Sequence, residues 1–330
     1  MSSPVVTEAP PRDSAPEDPH PAPRPSPRAR SVRRIGDRVF RSLSVGAGLL
    51  IFLTLLLVAI FLTIRSIPAI AASKELTGAA DAPSLLAFTA PLVFGTVLAA
   101  VMALVMAVPL AVGIALFISH YAPRRLAGTL GFLMDMLAAV PSVVFGLWGG
   151  IWLVPRLEPV FVLLNRYLGL FPLLGGEPSA PMRTLATASV VLAVMILPII
   201  TAICREVFLQ TPPLQEEAAI ALGATRWEMI RTVVLPVGRT GIVSASMLGL
   251  GRALGETMAV LMVLSPGATF SLHVLEAGRH NTIAANIASQ SAEADPLVMS
   301  RLIFTGLVLF VITFLINAIA RGIIARGQKG

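Results

Sequence analysis

The sequence predicts an all-α, polytopic membrane protein with six transmembrane helices, and three observations carry that expectation. Of 330 residues, 55% are hydrophobic and only 13% charged, against about 25% charged in ordinary soluble domains. The mean hydropathy is +0.83. Six apolar runs, each near or above the roughly 20 residues that cross about 30 Å of hydrocarbon, alternate with segments holding most of the basic residues. A single cysteine and the lack of any Cys/His cluster argue against a disulfide scaffold, a zinc module or a haem site.

The chain opens on a segment, residues 1–41, in which Pro4, Pro10, Pro11, Pro16, Pro19, Pro21, Pro23, Pro25 and Pro27 punctuate Ser, Asp, Glu and Arg. Too few apolar side chains are present to offset the entropy of ordering, so a disordered tail is expected. Apolar runs follow at 43–64, 91–119, 136–154, 185–203, 241–264 and 302–320. The first has too long a core and too extended a basic lead for a cleaved signal peptide, and reads as an uncleaved span. Pro109, Pro141 and Pro198 lie within runs, where each removes a backbone hydrogen bond and tends to kink a helix.

A net charge of +7 and a pI near 10.8 would suggest nucleic acid as the partner of a soluble protein. Position argues otherwise. Arginines cluster in the tail, at Arg124/Arg125, at Arg226/Arg231/Arg239 and at Arg321/Arg326, between the apolar runs. That spacing orients a multi-pass protein with 120–127, 204–240 and 321–330 cytoplasmic, 66–88, 156–183 and 265–300 outside, and both termini inside.

The segment 211–240 between the fourth and fifth spans is locally readable. Thr211 is placed to cap a helix opening at Pro212, with Glu216 and Glu217 in its positive first turn. Gly223 supplies a stop. Thr225-Arg226-Trp227-Glu228 forms a capping box for a second helix, which Pro236 is expected to end. Two short helices around a turn also describe a DNA-reading unit, but one tied at both ends to membrane spans could hardly reach a groove.

Arg252 and Glu256 stand in the otherwise apolar fifth run. Each charge costs about 2.5–3.5 kcal/mol at a bilayer centre, so both are expected to face protein or a water-filled path. At i and i+4 they share a helix face and could form a self-satisfied pair. Alternatively they line a ligand path: Arg offers a fixed fork of donors to an oxyanion, while the Glu offsets the Arg when the path is empty and accepts a hydrogen bond from an anion that still carries a proton. Phosphate does so at neutral pH and sulfate does not. Gly251 and Gly255 form a Gly-x-x-x-Gly step expected to let another helix approach.

Glu217-Ala218-Ala219, Gly223, Val233, Leu235 and Pro236 reproduce the spacing of the EAA loop of ABC importer permeases, with Val233 where Ile is usual. The chain is identified further as similar to phosphate ABC importer permeases of the PstC type. The likeness rests on Gly251 to Val260 (GRALGETMAV), Val140 to Gly149 (VPSVVFGLWG) and Thr282 to Ala288 (TIAANIA), and runs over about residues 40–325. The resemblance implies a type I ABC importer permease fold, with a transmembrane core at about 89–320 inside a permease domain at 42–325. It implies a coupling loop that docks on a cytoplasmic ATPase. The implied partners are a PstA-like permease, a PstB-like ATPase dimer and a PstS-like phosphate-binding protein, with inorganic phosphate carried and membrane lipid around the spans. The chain has no Gly-x-x-x-x-Gly-Lys-[Ser/Thr] loop, so ATP and Mg are expected on the separate ATPase, with no cofactor here. Other oxyanions, sulfate or molybdate, remain open, as does a stand-alone secondary carrier. An intramembrane enzyme finds no His-Glu-x-x-His, Gly-x-Ser-x-Gly or paired intramembrane acids to support it.

Several further residues draw notice. Asp135 reads as an interface residue, because a carboxylate would repel an anion on its path. His120, His273 and His280 read as solvated loop residues without ligand spacing, and Cys204 as a small buried side chain. Glu276, Arg279 and Asn281 fall where an outside partner would dock. Trp148 and Trp152, four apart, suit an interfacial anchor.

Overall fold

The computed structural model describes residues 35–76 and 84–327. The tail expected over 1–41 falls outside the described residues as far as residue 34. From Ile35 the chain is helical, so the tail boundary at 41 is set too late. By contacts the chain divides into Met1–Thr54 and Leu55–Gly330. The described part of the first unit is the leading stretch of α1 (Ile35–Leu76), with Leu49, Leu50, Ile51 and Phe52 all exposed. The second unit holds the remainder of the chain.

Among the described residues only helices and connections occur, and six helical stretches are long and apolar enough to span a membrane: Arg38–Ala72, Leu85–Tyr121, Ser142–Leu168, Leu185–Leu209, Arg226–Leu254 and Pro296–Gly322. α2 (Leu85–Leu116) opens on Ser84, whose hydroxyl accepts from Ala87 N at 3.2 Å. It buries Ala99, Ala103, Ala107, Ala111 and Ala115, one every four residues. That stripe lies against α6 (Leu185–Leu209), because small residues let two backbones approach where lipid offers no hydrophobic drive. Pro109 and Pro198 lie inside these two helices.

The third run departs from expectation. α3 (Arg124–Ala138) ends before Pro141, and α4 (Ser142–Trp148) passes through a π turn, Gly149–Leu153, into α5 (Val154–Leu168). The span is therefore Ser142–Leu168 rather than 136–154, and Pro141 sits in the break as the cap of α4 rather than kinking a span. Polar Arg156, Glu158, Asn165 and Arg166 hid the second half of this span from a hydropathy reading. α3 is amphipathic, burying only Gly131; the Arg205 guanidinium of α6 fills the notch over that glycine, with Nη1 where a Cβ would have to stand. Asp135 lies exposed on α3.

α7 (Pro213–Ala221) and α8 (Arg226–Met229) follow α6, and α8 continues through a π turn, Ile230–Val234, into α9 (Leu235–Leu254). Pro236 therefore does not end the second helix of the loop; it stands in the first turn of α9, where its missing N–H and fixed φ are tolerated. α9 lays Gly238, Gly241 and Gly249 against Phe208, Val207 and Ile200 of α6. α10 (Met258–Val263), α11 (Ile283–Gln290) and α12 (Pro296–Gly327) complete the order.

Candidate substrate path and coupling surface

The fifth apolar run is not one helix. α9 stops at Leu254 and α10 begins at Met258, so Gly255, Glu256 and Thr257 form a break inside the expected span of 241–264. The break parts Arg252 from Glu256. Glu256 is buried, and its Oε1 accepts from Ala259 N at 3.0 Å, closing the first turn of α10. Among the described residues no ion pair joins the two, so the self-satisfied pair that the i, i+4 spacing allowed does not form, and the break takes them off a shared helix face. A carboxylate beside the open N–H groups of a helix start is held more directly there than by a guanidinium on the preceding helix.

Arg252 opens onto a cavity of about 810 Å³. Its wall comes from Ala138 of α3, Ile199 of α6, Ser244, Met247, Leu248, Gly251 and Arg252 of α9, and Asn317, Ala320 and Arg321 of α12. No wall residue is acidic. The Arg252 Nε is buried without a hydrogen-bond partner, and a buried donor left unmade costs about 1–3 kcal/mol or more when charged. A planar set of donors against a roomy, positively charged hollow is suited to a tetrahedral oxyanion.

Among the described residues the Gly251/Gly255 step packs against no other helix. A Cβ on Gly251 would meet nothing within 4 Å, and one on Gly255 only the Gly251 carbonyl at 3.7 Å. Gly251 widens the cavity wall instead. Close approach is made by Gly238, Gly241 and Gly249 toward α6, and by Gly146, Gly149 and Gly150 toward α10 and α6. A Cβ on Gly146 would stand 2.8 Å from Ala259 Cα, one on Gly149 2.7 Å from Val191 Cγ2, and one on Gly150 3.2 Å from the Met262 carbonyl oxygen. The Val140 to Gly149 motif thus builds the bed for α10. At the far end of α10, the Arg183 guanidinium donates to the Met262 carbonyl.

At the α7 end, the coupling loop forms with one change. Thr211 does not cap α7: Pro212 is the capping position, and the Thr211 hydroxyl is buried without a partner. The stop at Gly223 is as expected. Gly223 has φ +90°, Gly223 N donates to Ile220 O at 2.9 Å, and Ala224 N donates to Ala219 O at 3.1 Å, the paired bonds of a Schellman turn. Thr225 and Glu228 close both halves of the capping box. Glu217 and Ala218 are exposed, as are Leu214, Leu222 and Trp227, while Ala219 and Leu235 pack on the core. His120, in the π turn Phe117–Tyr121 that continues α2, is no solvated loop residue: its Nδ1 lies 2.7 Å from Ser119 Oγ and its Nε2 3.4 Å from Glu216 Oε1, which ties that turn to α7.

At the opposite end, His280 is also buried, bonded through Nε2 to Ser271 O at 2.7 Å and stacked on Phe94. Burial pushes its pKa below 6.5. Asn281 is buried as well, donating to Asn286 Oδ1 at 3.3 Å, while Glu276 pairs with Arg279 at 2.6 Å and with His273 at 3.3 Å. Trp148 and Trp152 stack with ring centroids 5.5 Å apart, and Arg156 lies over Trp152. Cys204 is fully buried.

Residues 107–326, two thirds of the chain, match the family described as binding-protein-dependent transport system inner membrane component. The chain belongs to that family. It is a multi-pass membrane transport component, and the relatives it matches cover from about seven to nine tenths of the chain. The phosphate transport system permease protein PstC 2 of Mycobacterium tuberculosis is 48% identical over 89% of this chain and 93% of its own. The PstC protein of Mycobacterium leprae is 46% identical over 91% and 97%, and that of Xylella fastidiosa 41% identical over 71% and 72%. An inward-facing structure of the MetNI methionine ABC transporter superposes with a TM-score of 0.54, at 16% identity over 73% of this chain and 96% of that chain. At that identity the likeness speaks for the fold alone, that of an ABC importer permease.

Proposed function

We propose that the chain is the membrane-spanning permease subunit of an ATP-driven phosphate importer. The observation that carries this reading is the 46–48% identity to mycobacterial PstC proteins over about nine tenths of the chain. The Arg252 cavity, which holds cationic groups and no acidic one, is the chemistry such a subunit needs. A PstA-like permease would complete the path, a PstB-like ATPase dimer would bind ATP and Mg, and a PstS-like protein would deliver phosphate. The α7 end is cytoplasmic in this reading, as are both termini, by the arginines at 226, 231, 239 and 321.

The coupling would be mechanical. The ATPase meets the exposed face of α7 around Glu217 and Ala218, and the Schellman turn at Gly223 fixes how α7 joins α8. From Arg226 to Arg252 the helix runs without interruption through its π turn, a rod of about 39 Å at 1.5 Å per residue. Movement of the loop is thereby delivered to Arg252. Arg252 attracts the anion, and Glu256 holds the break just beyond it by capping α10, which positions the end of the rod rather than neutralising the guanidinium.

The test is ATP-dependent uptake of labelled phosphate by vesicles carrying the assembled complex and its binding protein. Uptake that survives excess sulfate and disappears without the ATPase is expected. Uptake abolished by sulfate would move the assignment to another oxyanion, and uptake without the ATPase would make the chain a secondary carrier.

A further inference from the structure

The cavity that takes Arg252 receives a second guanidinium from a different helix. α12 sets Asn317 and Arg321, four residues and so one turn apart, on its wall. Ser244 of α9 lies on the same wall, eight residues before Arg252 and so about 12 Å along the helix toward α7. α11 packs at the leading part of α2, where Ile283 N donates to Thr96 Oγ1 at 3.0 Å, so α12, as a span that starts after α11, heads for the end where His120 meets Glu216 of α7, which puts Arg321, near its close, on the α7 side of the wall. Among the described residues neither arginine forms an ion pair, and the wall offers no carboxylate to either.

Two permanently charged side chains facing one hollow repel each other unless something negative stands between them. The other polar groups on the wall, the Asn317 amide and the Ser244 hydroxyl, can both donate. We propose that Arg321 and Asn317 form a second oxyanion site on the α7 side of the cavity, which receives phosphate from Arg252 before release. This rests on the reading of the Arg252 cavity as the transport path. The shared chemistry is a phosphate group, whether inorganic phosphate or the headgroup of an anionic lipid at the membrane surface.

The experiment uses Ser244→Cys in the assembled complex, with the partners freed of exposed cysteines and Cys204, which is buried, left in place. Labelling rates are measured with a sulfonate-bearing and a trimethylammonium-bearing methanethiosulfonate in nanodiscs of neutral lipid. For a positive charge about 8 Å away at an effective dielectric near 40, each rate changes by about fivefold in opposite directions, so the anion-to-cation ratio should fall about 25-fold in Arg321→Gln. Arg321→Lys should keep most of the ratio. Millimolar inorganic phosphate should slow labelling, and less so in Arg321→Gln.

An unchanged ratio in Arg321→Gln overturns the second site even if uptake falls, since a purely structural role would not alter the local potential. Protection that appears only in nanodiscs with phosphatidylglycerol overturns it in favour of a lipid headgroup. A ratio that falls in Arg252→Gln but not in Arg321→Gln removes the second site and leaves the Arg252 path standing. A ratio that moves in neither removes both.

Discussion

Gly146 and Gly251 both sit in helices, and the structure assigns them opposite surroundings. A methyl added at Gly146 would lie 2.8 Å from Ala259 Cα, 3.0 Å from Met262 Sδ and 3.4 Å from the Met258 carbonyl oxygen. Carbon atoms pack at about 3.5–4.0 Å, so α10 must retreat by about 0.7 Å or more. Such overpacking costs about 1–3 kcal/mol. At Gly251 the same methyl meets nothing within 4 Å. Gly→Ala in a helix otherwise gains up to about 1 kcal/mol at either position, so the difference between the two variants isolates the packing cost. Thermal unfolding of the purified chain in detergent should place Gly251→Ala at or above wild type and Gly146→Ala below Gly251→Ala by the equivalent of about 1–3 kcal/mol. Gly146→Ala unfolding at or above Gly251→Ala would refute the bed that Gly146 makes for α10.

The capping role of Glu256 implies that Glu256→Gln, which keeps an acceptor for Ala259 N, retains most uptake, whereas Glu256→Ala loses about 0.5–2 kcal/mol of stability and much of the transport; Gln as damaging as Ala, with assembly intact, would show that the charge matters. Thr225→Ala breaks the capping box and should cost about 1 kcal/mol and weaken ATP-coupled uptake, measured against copurified ATPase. Gly223→Ala puts a side chain at φ +90°, and should lower coupling more than Ala224→Gly. His280 has its pKa lowered by burial, so the unfolded chain binds the proton more readily. Its stability contribution is complete above about pH 6.5 and lost as pH falls toward the folded value; thermal midpoints between pH 8 and 5 should decline less in His280→Gln.

Six spans and the coupling loop were legible because apolar length and capping chemistry are local. The errors cluster where tertiary contacts decide. Hydropathy runs 241–264 together, yet Glu256 finds the α10 N–H groups and the helix breaks. α5 carries enough polar residues to pass for a loop, and Pro236 passes for a stop although a proline fits a first helical turn. His120 and His280 look like surface residues because their partners, Glu216 and Ser271, become neighbours only on folding. The small residues that knit α2, α6 and α9 carry no chemical signature beyond their size, so the Gly-x-x-x-Gly step drew attention while Gly238, Gly241 and Gly249 did not. Arg252 was legible as a charge that must face something other than lipid; the hollow it faces, shared with α12, was not.

The most direct measurement is ATP-driven phosphate uptake by the assembled complex carrying Arg252→Gln, compared with wild type at equal assembly. A charge-assisted hydrogen bond is worth about 1.5–3 kcal/mol, so uptake is expected to fall by at least about tenfold, with Arg252→Lys intermediate. Uptake in Arg252→Gln at the wild-type rate would contradict the assignment of this cavity as the anion path.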